Sequence, residues 1–111
     1  FSVLAGSVNN FFTAMTMGGI GGVISLANSF PQLPVKLYQL LVEKKYDEAL
    51  ALNDRLLQIN KIVSGKSGVA AVKYAMELNG LVGGMPRLPL LPITEEEKTS
   101  IRSKLQAEGL I

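Results

Sequence analysis

The side chains that could do chemistry in this chain are carboxylates, lysines and the residues of two short glycine motifs. The 111 residues contain 11 Lys and Arg, 9 Asp and Glu, and neither His nor Cys. Thiol nucleophiles, imidazole acid–base catalysis, disulfides and the usual zinc ligands are therefore excluded. The formal net charge of +2 is too small to indicate a nucleic acid or an acidic membrane surface as a partner.

The carboxylates and lysines lie on predicted helix surfaces, caps or turns. Every carboxylate follows residue 42, and no pair has the apolar surroundings that would separate two carboxyl pKa values for acid–base catalysis. An imine-forming lysine needs a desolvated position, and Lys73, between Val72 and Tyr74, is the least exposed candidate. Because long lysine stems commonly lie along apolar surface with the charge in water, we predict no catalytic role for Lys73.

The two glycine motifs resemble nucleotide-binding and phosphate-binding sequences without matching them. In residues 18–22 the third glycine of a dinucleotide fingerprint is replaced by Ile24, and the glycines follow a helix instead of a strand. Residues 65–67, Gly-Lys-Ser, have Asn60 where a phosphate-binding loop has its first glycine. We interpret the first motif as a turn before a strand and the second as an interhelical turn in which Ser67 caps the next helix.

The start of the chain has the pattern of a strand–helix–strand unit. Residues 1–5 predict a short buried strand, residues 8–17 a helix capped by Ser7 or Asn9, and residues 22–26 a second, fully buried strand. Strands connected in this way are parallel. Two parallel strands alone leave open edges and faces, so we expect the remaining strands to come from elsewhere in a longer protein.

After residue 30 the apolar residues follow the helical period of about 3.6 residues. Three helices are predicted near residues 30–45, 47–64 and 67–79, and the spacing of Thr94 and Glu97 predicts a capping box that opens a fourth. Between them, residues 83–92 contain three prolines and predict an extended connector with Leu88, Leu90 and Leu91 turned inward. Glycines interrupt the uncharged residues 11–26, so we expect no membrane span.

Four stretches of the sequence, in this order, resemble the C-terminal part of the dihydrodipicolinate synthase and N-acetylneuraminate lyase family. They are residues 1–6 (FSVLAG), 21–28 (GGVISLAN), 71–73 (AVK) and 87–90 (RLPL). The resemblance implies an α/β fold: the last βαβ unit of a (β/α)8 TIM barrel, followed by a C-terminal helical region. Residues 1–28 would be the last two barrel strands with the intervening helix. Residues 29–111 would be the last barrel helix and the C-terminal helical region, so the chain would be a fragment.

The resemblance also implies an activity and a site. Members of this family are class I aldolases or lyases, usually homotetramers, that form a Schiff base between a lysine and pyruvate or a related 2-oxo acid without a cofactor. That lysine and its assisting tyrosine belong to earlier strands, so no catalytic residue is expected in this chain. In such barrels the site lies at the carboxyl ends of the strands. Gly6, Ser7, Ile24 and Ser25 are therefore the predicted substrate-binding residues.

The residues that follow the first strand bear on the substrate. Gly6-Ser7-Val8 stands where dihydrodipicolinate synthases often have Gly-Asp-Asp. This form looks closer to 4-hydroxy-2-oxoglutarate aldolase and the 2-keto-3-deoxy sugar-acid aldolases, with dihydrodipicolinate synthase as the alternative. A non-enzymatic helical assembly module is the hypothesis from another class. The expected partners are the missing N-terminal part of the barrel and a small 2-oxo acid, in the cytoplasm or in mitochondria, with neither nucleic acid nor membrane.

Overall fold

Two short strands and six helices make up the chain, whose residues 1–111 are all described by a computed structural model. They are β1 (Leu4–Ala5), α1 (Val8–Thr16), β2 (Gly21–Gly22), α2 (Leu26–Ser29), α3 (Gln32–Val42), α4 (Tyr46–Ser64), α5 (Gly68–Leu78) and α6 (Glu95–Ala107). The chain divides inside α4 into two compact units, Phe1–Gln58 and Ile59–Ile111. The domain boundary predicted at residue 28 concerns a complete barrel and stays a prediction. None of the helices has the length and apolar character needed to cross a membrane.

The two strands pair in parallel, as the strand–helix–strand pattern predicts. Leu4 lies opposite Gly21, and Ala5 lies opposite Gly22. Beyond the paired residues, the Val23 N–H donates to the Ala5 carbonyl at 2.8 Å. The sheet has only these two strands, so each strand has one edge without a neighbour. Leu4 is 55% exposed, and the prediction that residues 1–5 form a buried strand is correct only for Ala5.

The second strand is shorter than predicted, because the backbone turns into helix α2 where residues 22–26 were expected to remain extended. The Ile24 carbonyl accepts the Ala27 N–H at 3.1 Å. The Ser25 carbonyl accepts both the backbone N–H of Asn28, at 3.0 Å, and its side-chain amide, at 3.1 Å. These local partners satisfy backbone groups that a longer strand could satisfy only with a further neighbouring strand.

A close approach between α1 and β2 holds the strand pair against its helix. Phe11 of α1 is 3% exposed. A Cβ atom added to Gly22 would lie 2.8 Å from the Phe11 ring and 3.0 Å from the Ala5 carbonyl oxygen. The absence of a side chain at Gly22 is therefore what allows Phe11 to pack directly on the strand.

Substitution of Gly22 by alanine should destabilise the chain by about 1–3 kcal/mol, because the added methyl group overpacks the contact with Phe11. Urea unfolding monitored by circular dichroism measures this change. Gly6→Ala is the matched control, since an added Cβ at Gly6 meets nothing within 4 Å. Equal stability of the two variants would contradict the packing argument.

The rest of the first unit is built on α2 and α3, which contact each other, while α3 also contacts α1. Leu26, Phe30 and Leu37 are fully buried there. Helix α3 ends at Val42, slightly before the predicted end, because Lys44 adopts a left-handed conformation with φ 58°. The bonds from Lys45 N–H to Leu40 O (2.9 Å) and from Lys44 N–H to Leu41 O (3.1 Å) form a Schellman motif.

The second unit contains the end of α4 and the contact between α5 and α6. Its apolar core is contributed by all three helices and by one residue that precedes α6: Ile59, Val63, Ala70, Ala71, Val72, Ala75, Ile93, Ile101 and Leu105. Helices α5 and α6 end with Gly80 (φ 76°) and Gly109 (φ 69°), as their positions in the sequence predict.

The connector between α5 and α6 is attached at its ends and not along its middle. Near its start, the Lys73 ammonium donates to the Gly83 carbonyl at 2.8 Å, and Ile93 is buried at the other end. The prediction that the intervening leucines turn inward is wrong: Leu88, Leu90 and Leu91 are 84%, 48% and 72% exposed. Apolarity alone does not decide burial, because many apolar side chains of a folded protein stay at its surface.

The capping box at α6 is confirmed and has an additional partner. The Thr94 hydroxyl accepts the Glu97 N–H at 3.2 Å, and the Glu97 carboxylate accepts the Thr94 N–H at 2.9 Å. The other Glu97 oxygen accepts the Ser67 hydroxyl, so Glu97 ties α6 to the turn before α5. Ser67 is at the predicted N-cap position of α5, but its side chain makes no capping bond to that helix. The Ser67 hydrogen bond, followed by the Thr94 bonds and the nearby Lys66 charge, lowers the pKa of Glu97 below its ordinary value of 4.5.

We expect the stability of the chain to depend on the ionisation of Glu97. Because its folded-state pKa is lowered, its contribution is complete above about pH 4.5 and is lost as the pH falls through the lower folded value. Glu97→Gln should therefore reduce the melting temperature at about pH 7, and the difference from the unsubstituted chain should shrink towards about pH 3. Glu96→Gln, on the same turn, is the control. A difference that stays constant with pH would contradict this role.

Candidate functional site

The carboxyl ends of β1 and β2 form the candidate site. Because the two strands are parallel and in register, the residues that follow them leave the sheet at the same edge. Gly6 and Ser7 follow β1, and Ile24 and Ser25 follow β2 after Val23. The topology thus brings the four predicted substrate-binding residues to one edge of the sheet, although their role in binding a substrate stays a prediction.

Ser7 has a structural function at this edge. It is the N-cap of α1, with extended backbone angles (φ −154°, ψ 150°), and its hydroxyl oxygen accepts the Asn9 N–H at 3.2 Å. Of the two N-caps that the sequence allows, the structure uses Ser7. A serine hydroxyl keeps its hydrogen while it accepts such a bond. Ser7 can therefore cap the helix and still donate a hydrogen bond to a ligand.

Ile24 and Ser25 offer different groups to the site. Ile24 is 8% exposed, so its side chain offers little surface to a ligand, and its carbonyl already accepts the Ala27 N–H. Ser25 is exposed, and its side chain makes no capping bond to α2. Its carbonyl is held by Asn28, a residue whose positioning role was not foreseen from the sequence. The three-residue spacing from Ser25 to Asn28 is the signal that could have indicated it.

An apolar groove of about 330 Å³ lies beside this edge in the same unit. Its lining comes from both strands, from helices α1, α2 and α3, and from one predicted site residue: Leu4, Phe11, Gly21, Gly22, Ile24, Ala27, Pro34, Val35 and Tyr38. The Tyr38 hydroxyl is the only side-chain polar group among these residues. Such a lining suits the packing of further apolar chain better than the binding of a polar substrate.

The groups at the carboxyl ends of the two strands can orient a small polar ligand, but the four predicted site residues include no base that would activate a serine as a nucleophile. Two serine hydroxyls and the backbone of Gly6 and Ile24 can exchange hydrogen bonds with a carboxylate or a carbonyl group. Lys73, the lysine considered in the sequence, lies in the second unit and donates to Gly83. The carboxyl ends of the two strands are therefore suited to binding a small polar ligand.

Parallel strands joined by a helix, with polar residues following their carboxyl ends, are the construction of the (β/α) barrel enzymes. The model of the Dihydrodipicolinate synthetase family matches residues 1–108. The chain therefore belongs to this family, as its sequence motifs indicate. Its fold is the strand–helix–strand part of the barrel, followed by the helical region.

The chain is similar to curated proteins named 4-hydroxy-tetrahydrodipicolinate synthase. The protein of Chlorobium limicola is 34% identical over 111 residues, which are 100% of this chain and 38% of that protein. The protein of Prosthecochloris aestuarii is 36% identical over 111 residues, which are 100% of this chain and 37% of that protein. The chain thus spans less than two-fifths of the length of these relatives.

Solved structures show the same relationship. A dihydrodipicolinate synthase matches with a TM-score of 0.88 and 27% identity, over 100% of this chain and 38% of that protein. A 2-keto-3-deoxygluconate aldolase variant of Sulfolobus solfataricus matches with a TM-score of 0.78 and 27% identity, over 98% of this chain and 40% of that protein. The similarity therefore includes both synthases and sugar-acid aldolases.

Removal of the Ser7 hydroxyl should weaken the entry into α1. Ser7→Ala is expected to cost about 1 kcal/mol of unfolding free energy, because the Asn9 N–H loses its capping partner. Chemical denaturation provides the measurement, with Ser2→Ala at an exposed position before β1 as the control. If both variants are as stable as the unsubstituted chain, Ser7 does not act as a structural cap.

Proposed function

We propose that this chain is part of a class I aldolase or lyase that acts on pyruvate-type 2-oxo acids. The observation that carries the proposal is the family match over residues 1–108. The meeting of Gly6, Ser7, Ile24 and Ser25 at the carboxyl edge of two parallel strands supports it. The Schiff-base lysine and its assisting tyrosine would lie in the part of the barrel that precedes these strands.

In this proposal the residues at the carboxyl ends of β1 and β2 bind the substrate, while the chemistry takes place on a neighbouring lysine. The carboxylate of a 2-oxo acid would accept hydrogen bonds from the backbone of Gly6 and Ile24 and from the hydroxyls of Ser7 and Ser25. Hydrogen bonds to a charged carboxylate are stronger than those between neutral groups, so a few such donors suffice to orient a small acid.

The proposed reaction is the cleavage of a 2-oxo acid such as 4-hydroxy-2-oxoglutarate or a 2-keto-3-deoxy sugar acid, with release of pyruvate. Ser7 and Val8 support it, because neither brings a carboxylate to the edge after β1. The second candidate is 4-hydroxy-tetrahydrodipicolinate synthesis, which the names of the curated relatives favour. Both reactions would use the same lysine and the same 2-oxo acid site.

We propose that the preceding part of the barrel is the partner of the unpaired strand edges and of the apolar groove lined by Leu4. The preceding part of the barrel would pair with the open edges and cover Leu4, which is 55% exposed. We propose that the complete enzyme forms a homotetramer and works in the cytoplasm or in mitochondria, where pyruvate is available.

Trapping with pyruvate and sodium borohydride tests this function. Condensation of a lysine amine with the pyruvate carbonyl releases water, and hydride reduction of the imine gives a stable secondary amine. Mass spectrometry should show this adduct on the complete enzyme, at a lysine upstream of this chain, and none on the 111-residue chain alone. An adduct on this chain would refute the upstream lysine, and no adduct on the complete enzyme would refute the Schiff-base mechanism.

Analysis of the products then distinguishes the two candidate reactions, aldol cleavage and 4-hydroxy-tetrahydrodipicolinate synthesis. Release of pyruvate from 4-hydroxy-2-oxoglutarate or 2-keto-3-deoxygluconate supports the aldolase assignment. Formation of 4-hydroxy-tetrahydrodipicolinate, without cleavage of either acid, would instead assign the synthase reaction.

A further inference from the structure

Two adjoining cavities in the second unit share Lys66, Ser67 and Glu97. The first has a volume of about 260 Å³ and also includes Lys61 and Lys104 in its lining. The second has a volume of about 270 Å³, and the remainder of its lining is apolar: Ala70, Leu90, Leu91, Pro92 and Ile93. Either cavity alone is at the small end for an organic ligand. The two lie side by side at their three shared residues, and we call the two together the groove.

The charged residues that line the first cavity are predominantly basic. Lys61 comes from α4, Lys66 from the turn before α5 and Lys104 from α6, so three separate elements contribute lysines to its lining. The one carboxylate in its lining, Glu97, already accepts hydrogen bonds from Thr94 and Ser67. Three lysines against one carboxylate leave an excess of positive charge, which favours the binding of an anion.

The second cavity is an apolar surface that the chain leaves open. Leu90 and Leu91 are 48% and 72% exposed, while Ile93 and Ala70 beside them are 8% and 7% exposed. Pro92 limits the backbone freedom of this segment, so little conformational entropy is lost when a ligand covers it. An apolar ligand group placed there would shield the leucines from water.

We propose that this groove binds a small amphipathic organic anion, namely a carboxylic acid with a short apolar chain. The carboxylate lies among Lys61, Lys66 and Lys104, and the apolar chain lies against Leu90, Leu91 and Ile93. The basic cavity and the apolar cavity share Lys66, Ser67 and Glu97, so one ligand with a charged group and an apolar group can contact both. An inorganic anion would contact only the basic cavity. The groove is a site in the second unit, and the inference does not rest on the aldolase activity.

Nuclear magnetic resonance titration of the full chain with hexanoate, acetate and hexanol tests the groove. Hexanoate should shift the amide signals of Lys66, Ser67, Ala70 and Ile93 and bind at least tenfold more tightly than acetate, since each fully buried methylene contributes roughly a fourfold gain. Hexanol, which lacks the charge, should bind more weakly than hexanoate. Equal affinity for hexanoate and acetate, or shifts located elsewhere, would overturn the proposal.

Matched variants separate the two halves of the groove. Lys66→Gln should weaken hexanoate binding at least fivefold, while Lys36→Gln, an equal change of charge in α3, should leave it unchanged. Leu91→Ser should weaken hexanoate binding and leave acetate binding as it was. All three positions are exposed, so the variants should keep the fold, which their spectra verify. An equal loss in the Lys36 variant, or tighter binding of inorganic phosphate than of hexanoate, would refute the groove as an amphipathic site.

Discussion

The parallel register of β1 and β2 is the constraint on which the first unit depends. With Leu4 opposite Gly21 and Ala5 opposite Gly22, Phe11 packs on a position that has no side chain. A shift by one residue would move Gly22 to the other face of the pleat, because successive strand residues point to opposite faces. The same register places the residues that follow both strands at one edge. Helix packing and the candidate site therefore depend on a single arrangement of very few backbone hydrogen bonds.

The second unit is held together differently, with its own apolar core and with side chains that join its elements. Glu97 belongs to the cap of its own helix and also accepts the hydroxyl of Ser67, so one carboxylate determines where α6 meets the turn before α5. Lys73 likewise fastens the start of the connector through Gly83. Because such contacts attach only parts of the connector, its middle remains exposed and contributes the apolar half of the groove.

The sequence predicts the elements with a strong local signal and fails where local patterns compete. The parallel strands follow from the strand–helix–strand pattern, and the Ser7 cap and the Thr94 capping box follow from cap chemistry. The second strand, expected over residues 22–26, is wrong at its end, where Ser25 and Leu26 are helical. An apolar run does not distinguish a strand from a helical turn that Asn28 can stabilise. The inward leucines are wrong for a related reason, since apolarity alone does not tell which residues find a partner. The bond from Ser67 to Glu97 spans 30 residues and has no local signature.

The crossover connection between β1 and β2 also has a consequence for the order in which the chain folds. Leu4 and Gly21 can pair only after the segment between them has closed into a loop, which costs entropy before any ladder bond forms. Helix α1 shortens that loop, but nine residues are too few for a stable isolated helix. Helix and strand pair must therefore form together as one cooperative folding unit. A protease cut within residues 17–20, between the end of α1 and β2, would open that unit as a whole instead of releasing one strand.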